Sequence, residues 1–198
     1  MELSKSRPSI VFIGAGNVAT HLSKAFHDSG CRIKMIYSKT QESARALAEV
    51  IGCPYTTDIT SIDNDADIYI VSLKDSVLNS ILSELVKCNT KALYVHTAGS
   101  VSIDIWKGLT DRYGVMYPMQ TFSKQRKVDF NNVHFFVEAN SKEDTDLLIR
   151  TASLISNHVF EASSEQRKYL HISAVFACNF TNHMYAICEH LLSSHGLP

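Results

Sequence analysis

The chain has 198 residues, enough for one large domain with part of a second and for a well-buried core. Its 19 basic and 20 acidic residues nearly cancel, so no charge footprint points to a nucleic acid or a membrane surface, and 45% hydrophobic with 20% charged residues is the balance of a soluble globular protein. No apolar run is long enough to cross a bilayer, Met1–Ser9 lacks the hydrophobic centre of a signal peptide, and the five cysteines, Cys31, Cys53, Cys88, Cys178 and Cys188, form no CxxC pair and read as reduced, mostly buried thiols of a cytoplasmic protein.

Ser9–Thr20, SIVFIGAGNVAT, reads as a short strand that feeds a tight glycine turn and opens a helix. Gly14 suits the sharp turn, Gly16 leaves no Cβ between backbone and ligand, and Ala19 lets the new helix lie close to its strand. The helix start then presents unpaired N–H groups to an anion, so Gly14, Gly16, Asn17 and Val18 are candidates for holding the pyrophosphate of a dinucleotide. Val18, Leu22, Ala25 and Phe26 give this helix its periodicity to about Ser29, with Gly30 as its stop. His21 and His27 on it read as surface residues.

Arg32–Tyr37 is a second strand, followed by a helix that Thr40 caps and Gly52 closes. An NAD site places a carboxylate at the end of this strand, whereas NADP needs room and positive charge for its extra phosphate. The chain offers Ser38 and Lys39 and no acid before Glu42, which favours NADP (NADPH) over NAD.

Tyr55–Thr56 is a brief third strand and Asp67–Leu73 a buried fourth, with Leu73 and Lys74 at its ligand-binding end and Asp75 or Ser76 capping the next helix. Ala92–His96 is a fifth strand that delivers His96, Thr97 and Ala98 to the same edge, Thr97 and Ala98 toward the cofactor and His96 toward the nicotinamide. Ser102–Tyr113 is a short helix or loop in which Trp106 and Leu109 pack. Gly114–Tyr117 is a sixth strand, and Pro118, unable to continue a ladder, turns the chain outward before Gln120. Lys124–Asn132, with Lys124, Arg126 and Lys127, is a solvated loop. A strand at Val133–Glu138, a helix started by Ser141 and Asp144, and a strand at His158–Glu161 complete the sheet.

Ser163 and Gln166 match a capping box, and neither Gly nor Pro follows until Gly196. That predicts one helix of about thirty residues, roughly 45 Å long. Its middle, Ile172–Phe180, is apolar or small nearly all round and needs cover, either from a second protomer or from helices beyond Pro198. The chain is thus read as an α/β, Rossmann-type doubly wound, mostly parallel sheet over residues 1–162. Residues 163–198 are expected to begin an all-α dimerisation and substrate domain, and the abrupt end at Pro198 is read as a truncation of it.

With these stretches assembled, the chain resembles the group of pyrroline-5-carboxylate reductases and deazaflavin-dependent NADP oxidoreductases. It looks closest to a branch with a helical C-terminal domain of unknown function 2520. The matching stretches are GAGNVATHL at Gly14–Leu22, HTAGSV at His96–Val101, YPMQTFS at Tyr117–Ser123 and KYLHISAVFACNFTNHMY at Lys168–Tyr185. The resemblance implies an NADP-dependent oxidoreductase of unassigned substrate, a homodimer through its helical domain. β-Hydroxyacid dehydrogenases are similar in layout and place a catalytic Lys and an Asn one turn apart on the equivalent helix; here no Lys and Asn stand four apart. His171 and Asn179 share one face, two turns and about 12 Å apart, and could flank a small substrate, with Gln120 as a further substrate-side candidate.

The expected activity is hydride transfer between NADPH and a small imine or carbonyl, with His96 or His171 as general acid, since imidazole donates a proton near neutral pH. The rival is a sensor or scaffold that holds NADP without turnover. The nine histidines form no HExxH or other tight ligand spacing, so no metal site is expected.

Overall fold

The computed structural model describes residues 7–123 and 125–197. Met1–Ser6, Lys124 and Pro198 lie outside the described residues. Eight strands, β1 (Ser9–Ile13), β2 (Arg32–Tyr37), β3 (Tyr55–Thr56), β4 (Ile68–Val71), β5 (Leu93–His96), β6 (Tyr113–Met119), β7 (His134–Ala139) and β8 (His158–Glu161), form one sheet in the order β3-β2-β1-β4-β5-β6-β7-β8. The first six run parallel, β7 is antiparallel to β6, and β8 is parallel to β7. This is the doubly wound Rossmann order with two strands added at one edge.

Alternation along the central strands explains the layers, because successive side chains point to opposite faces. Ile10 and Phe12 of β1 join Ala19, Leu22 and Phe26 of α1 (Asn17–Asp28), Leu47, Ala48 and Ile51 of α2 (Gln41–Ile51), and Leu148 and Ala152 of α4 (Lys142–Ala152). Val11 and Ile13 join Tyr69 and Val71 of β4, Leu78, Leu82 and Leu85 of α3 (Asp75–Leu85), and the fully buried Trp106. Helices thus cover both faces, and Ile10–Ile13 of β1 and all four residues of β4 are buried because neither face meets water.

The chain corrects several local expectations. Thr40 stands at the start of α2 but its side chain caps nothing, and α3 begins at Asp75 itself with Lys74 as the residue before it. Leu109 is exposed rather than packed. Pro118 does not end β6: it pairs with Phe135 across the antiparallel ladder. Pairing with β5 stops at Val115, so the missing N–H of Pro118 falls where the strand has outrun its parallel neighbour and has no ladder to break. The cysteines are all free, yet only Cys31 is buried; Cys53 and Cys88 are half-buried, and Cys178 and Cys188 are exposed.

The C-terminal helix forms as the capping box demands, with Ser163 accepting from the Gln166 N–H and the Gln166 side chain accepting from the Ser163 N–H. It runs as α5 (Ser164–Ala174), a π-helical turn at Val175–Phe180, and α6 (Thr181–Ser194). The π turn departs from the continuous α-helix that the sequence predicts; such turns are rare overall and frequent at functional sites. Tyr169, Ile172, Phe176, Phe180, Met184, Tyr185 and Leu191 are exposed along this helix.

Candidate functional site

The sheet order reverses between β1 and β4, and ligands of open α/β sheets bind outside the carboxyl ends of the strands at that point. The glycine turn occupies it. Gly14 has φ +116°, and a Cβ there would lie 2.5 Å from the Ser72 carbonyl oxygen, so only glycine fits against the end of β4. Gly16 has ordinary φ and nothing within 4 Å of a would-be Cβ: the space above it is open. No side chain caps α1, and its first turn carries no acid. Open space over uncapped N–H groups at a helix start is the cradle a pyrophosphate requires.

The neighbouring strand ends are laced to this turn. Gly14 N–H donates to Tyr37 O at 2.7 Å, Ser72 N–H to Ile13 O at 2.8 Å, and Thr97 N–H to Val71 O at 3.1 Å. The Thr97 hydroxyl donates to Ser72 Oγ at 3.3 Å, both side chains being buried. Leu73 borders Gly14, Lys74 is exposed at the start of α3, and Ala98 is half-buried after β5. At the end of β2, Ser38 is half-buried and Lys39 exposed, with no ion pair to Lys39 among the described residues.

His96 ends β5 fully buried, its ring stacked at 6.4 Å from Trp106. Its Nδ1 accepts the Ala98 N–H at 3.2 Å, which puts the remaining proton on Nε2. Burial, and then the Arg167 charge, push its pKa down to about 3. At neutral pH it is therefore an uncharged ring that shapes the turn before Thr97, and an imidazolium acid is not available from it.

A different pair meets at the site's far side. Tyr117 reaches beyond the end of β5, its ring packed so closely on Gly99 that a Cβ at residue 99 would lie 2.6 Å from Cζ. Its hydroxyl lies 3.1 Å from Nδ1 of His171, which α5 brings across from 54 residues away. Burial raises the Tyr117 pKa, so the phenol stays protonated. Gln120 and Asn179 do not join this pair: Gln120 is exposed and accepts the neighbouring Thr121 N–H, and Asn179 is exposed two turns beyond His171 on the π turn.

The root of α5 is fixed by Arg167, which is fully buried and pairs with Glu138 of β7 while donating to Val101 O, Ala162 O and Ser164 Oγ. Tyr117 and Arg167 are the residues the sequence reading missed. Tyr117 lay within the quoted YPMQTFS stretch but reads as an ordinary strand former, and Arg167 reads as a solvated helix residue. No group of three or more potential metal ligands occurs among the described residues. None of the described helices is long and apolar enough to cross a membrane.

Residues 9–99 match the family model described as coenzyme F420-dependent NADP oxidoreductase, and residues 133–198 match a domain of unknown function, DUF2520. The crystal structure of a proposed NADP oxidoreductase from Bacteroides fragilis is 53% identical, covers 97% of this chain and 74% of its own, and superposes with a TM-score of 0.93. The chain belongs to the NADP oxidoreductase family. An imine reductase from Myxococcus stipitatus in complex with NADP+ is similar to this oxidoreductase in fold at 16% identity, 96% and 68% coverage and TM-score 0.75. A pyrroline-5-carboxylate reductase from Coxiella burnetii is similar at 20% identity, 96% and 71% coverage and TM-score 0.70. No curated protein sequence matches the oxidoreductase.

Proposed function

We propose that this oxidoreductase transfers a hydride between NADPH and a small imine or carbonyl compound at the crevice outside β1, β4, β5 and β6. The observation that carries this reading is the Tyr117–His171 pair, set on the same sheet edge as the uncapped glycine turn. Gly14, Gly16, Asn17 and Val18 hold the pyrophosphate, Ser38 and Lys39 the 2′-phosphate, and Leu73, Lys74, Thr97 and Ala98 the nicotinamide half. The bound cofactor supplies the hydride; the chain's residues orient it and manage the proton.

Reduction of C=O or C=N leaves negative charge on oxygen or nitrogen, which a positioned acid neutralises. Tyr117 is that acid. Its hydroxyl delivers a proton to the substrate heteroatom, and His171, half-buried and closer to solvent, returns one to the phenolate through Nδ1. His96 supports the turn under Thr97 without exchanging a proton, while Asn179 and Gln120 serve at most the distal side of the substrate. The imine reductase and the pyrroline-5-carboxylate reductase, both of which act on C=N by name, make imines the first substrates to try.

The division at residue 162 places the cofactor on the sheet and the substrate against α5, with a homodimer formed through the exposed face of α5 and α6. The test is NADPH oxidation followed by absorbance over a panel of cyclic imines, ketones and oxidised deazaflavin, with Tyr117→Phe in parallel. Turnover that Tyr117→Phe abolishes supports the reading; turnover indifferent to that substitution refutes the proton role. Binding of NADPH with no turnover on any member would instead favour the sensor.

A further inference from the structure

The loop after Tyr117 does not hang free. Phe122 is buried, and its ring stacks 6.0 Å from Phe130, which in turn stacks 6.2 Å from Phe135 of β7. Two side chains of α1 hold its backbone: Asn17 Nδ2 donates to Phe122 O at 2.9 Å, and His21 Nε2 donates to Ser123 O at 2.8 Å. The His21 ring also packs on Phe122 at 5.5 Å. Asn17 and His21 stand at i and i+4, so one stripe of α1 carries both bonds, to two consecutive carbonyls.

Asn17 is also the first helical residue, so its backbone N–H is one of the donors at the uncapped start of α1, next to Gly16. An anion seated there fixes the first turn of α1 and with it the stripe that grips residues 122 and 123. Met119 is held in the β6–β7 ladder opposite His134, so Gln120 and Thr121 alone bridge the end of the sheet and the grip.

We propose that Asn17 and His21 are positioning residues that couple occupancy of the glycine turn to the placement of residues 120–123, a strap over the substrate side of the crevice. The inference rests on the assignment of a dinucleotide phosphate to the glycine turn. Coupling is reciprocal: whatever factor the bound phosphate adds to the strap's closure, closure adds to the affinity for the cofactor. His21 acts through its ring Nε2–H, which the Nε2 amide of a glutamine can replace at similar reach, whereas alanine removes both bond and packing.

The test uses the full chain and two readouts. Trypsin cleavage after Arg126 or Lys127, both exposed just past the grip, reports strap opening, with sites mapped by mass spectrometry. Calorimetry reports NADPH affinity. Without ligand, His21→Ala is cleaved there about tenfold faster than wild type, the factor expected for one lost hydrogen bond, and His21→Gln restores most of the protection. NADPH slows the cleavage of wild type, and His21→Ala weakens NADPH binding by the factor by which it loses that protection. Wild type that binds NADPH without slower cleavage, or His21→Ala with unchanged NADPH affinity, overturns the coupling. Wild type that binds no NADPH overturns the cofactor assignment and the coupling with it, while the ligand-free cleavage still shows whether the clamp exists.

Discussion

Tyr117 and His171 are joined by a 3.1 Å contact between the phenol oxygen and Nδ1, linking the last parallel strand of the sheet to the first helix of the C-terminal segment. Neither residue alone has the geometry of a proton path; together they connect a buried phenol to a half-exposed imidazole. Tyr117→Phe removes the donor and keeps the ring, and general acid catalysis of this kind is worth about 10²-fold or more in kcat. NADPH affinity stays within about a factor of two, since phenylalanine keeps the ring packed on Gly99 and leaves the neighbouring backbone in place. His171→Ala lowers kcat by less, because the phenol remains. Steady-state kinetics with whichever substrate the panel identifies, beside NADPH calorimetry, checks both.

Gly99 controls where that phenol sits. A Cβ at residue 99 would lie within 3 Å of Cζ, Cε2 and Cε1 of Tyr117, so Gly99→Ala must push the ring away. The expected result is a loss of kcat comparable to Tyr117→Phe with a stability cost of about 1–3 kcal/mol, the usual range for overpacking. Full activity in Gly99→Ala would show that the ring position is unimportant to turnover.

Burial of His96 makes stability depend on pH. Its folded pKa is depressed to about 3, while an unfolded histidine titrates near 6.5, so below pH 6.5 the unfolded chain binds one more proton than the native one. Stability from this group is complete above pH 6.5 and falls by about 1.4 kcal/mol per pH unit as pH drops toward 3. Denaturant melts between pH 7 and 4.5 measure the slope. His96→Leu should flatten it by one proton's worth; an unchanged slope would mean that the native ring can be protonated where it lies.

Arg167 is the bolt between sheet and helix. Replacing it with Met leaves Glu138 without its cation and strips Val101 O and Ala162 O of a donor. Breaking a buried pair commonly costs 3–5 kcal/mol, but Glu138 keeps Ser164 Oγ at 2.8 Å and a fifth of its side chain in water, so about 2–3 kcal/mol is expected. Lysine should not rescue, since it lacks the guanidinium fork that serves four acceptors at once. Thermal unfolding of Arg167→Met, Arg167→Lys and Arg167→Met with Glu138→Leu separates the ion pair from the packing: the double change recovers part of the loss.

Most of the sheet was legible because its strands are buried on both faces and read as apolar runs, and because Gly14, Gly30, Gly52 and Ser163 mark their turns chemically. The residues proposed for the cofactor half of the site could be named from sequence for the same reason, as they follow strand ends directly. What escaped depends on neighbours rather than on local pattern. Whether Pro118 breaks β6 depends on where β5 stops; whether Thr40 caps depends on its rotamer. Tyr117 becomes an acid candidate only when His171 arrives from 54 residues away, and His96 looks like an acid until its burial beside Arg167 is known.

The central claim is that the glycine turn holds NADP(H), with Ser38 and Lys39 selecting the 2′-phosphate. Calorimetric titration of the full chain with NADPH and with NADH tests it most directly. The account predicts saturable binding of NADPH at one site per chain, at least about tenfold tighter than NADH, which is the 1.4 kcal/mol a single charged phosphate contact readily supplies. Equal or tighter binding of NADH would contradict the role of Ser38 and Lys39, and binding of neither would contradict the site.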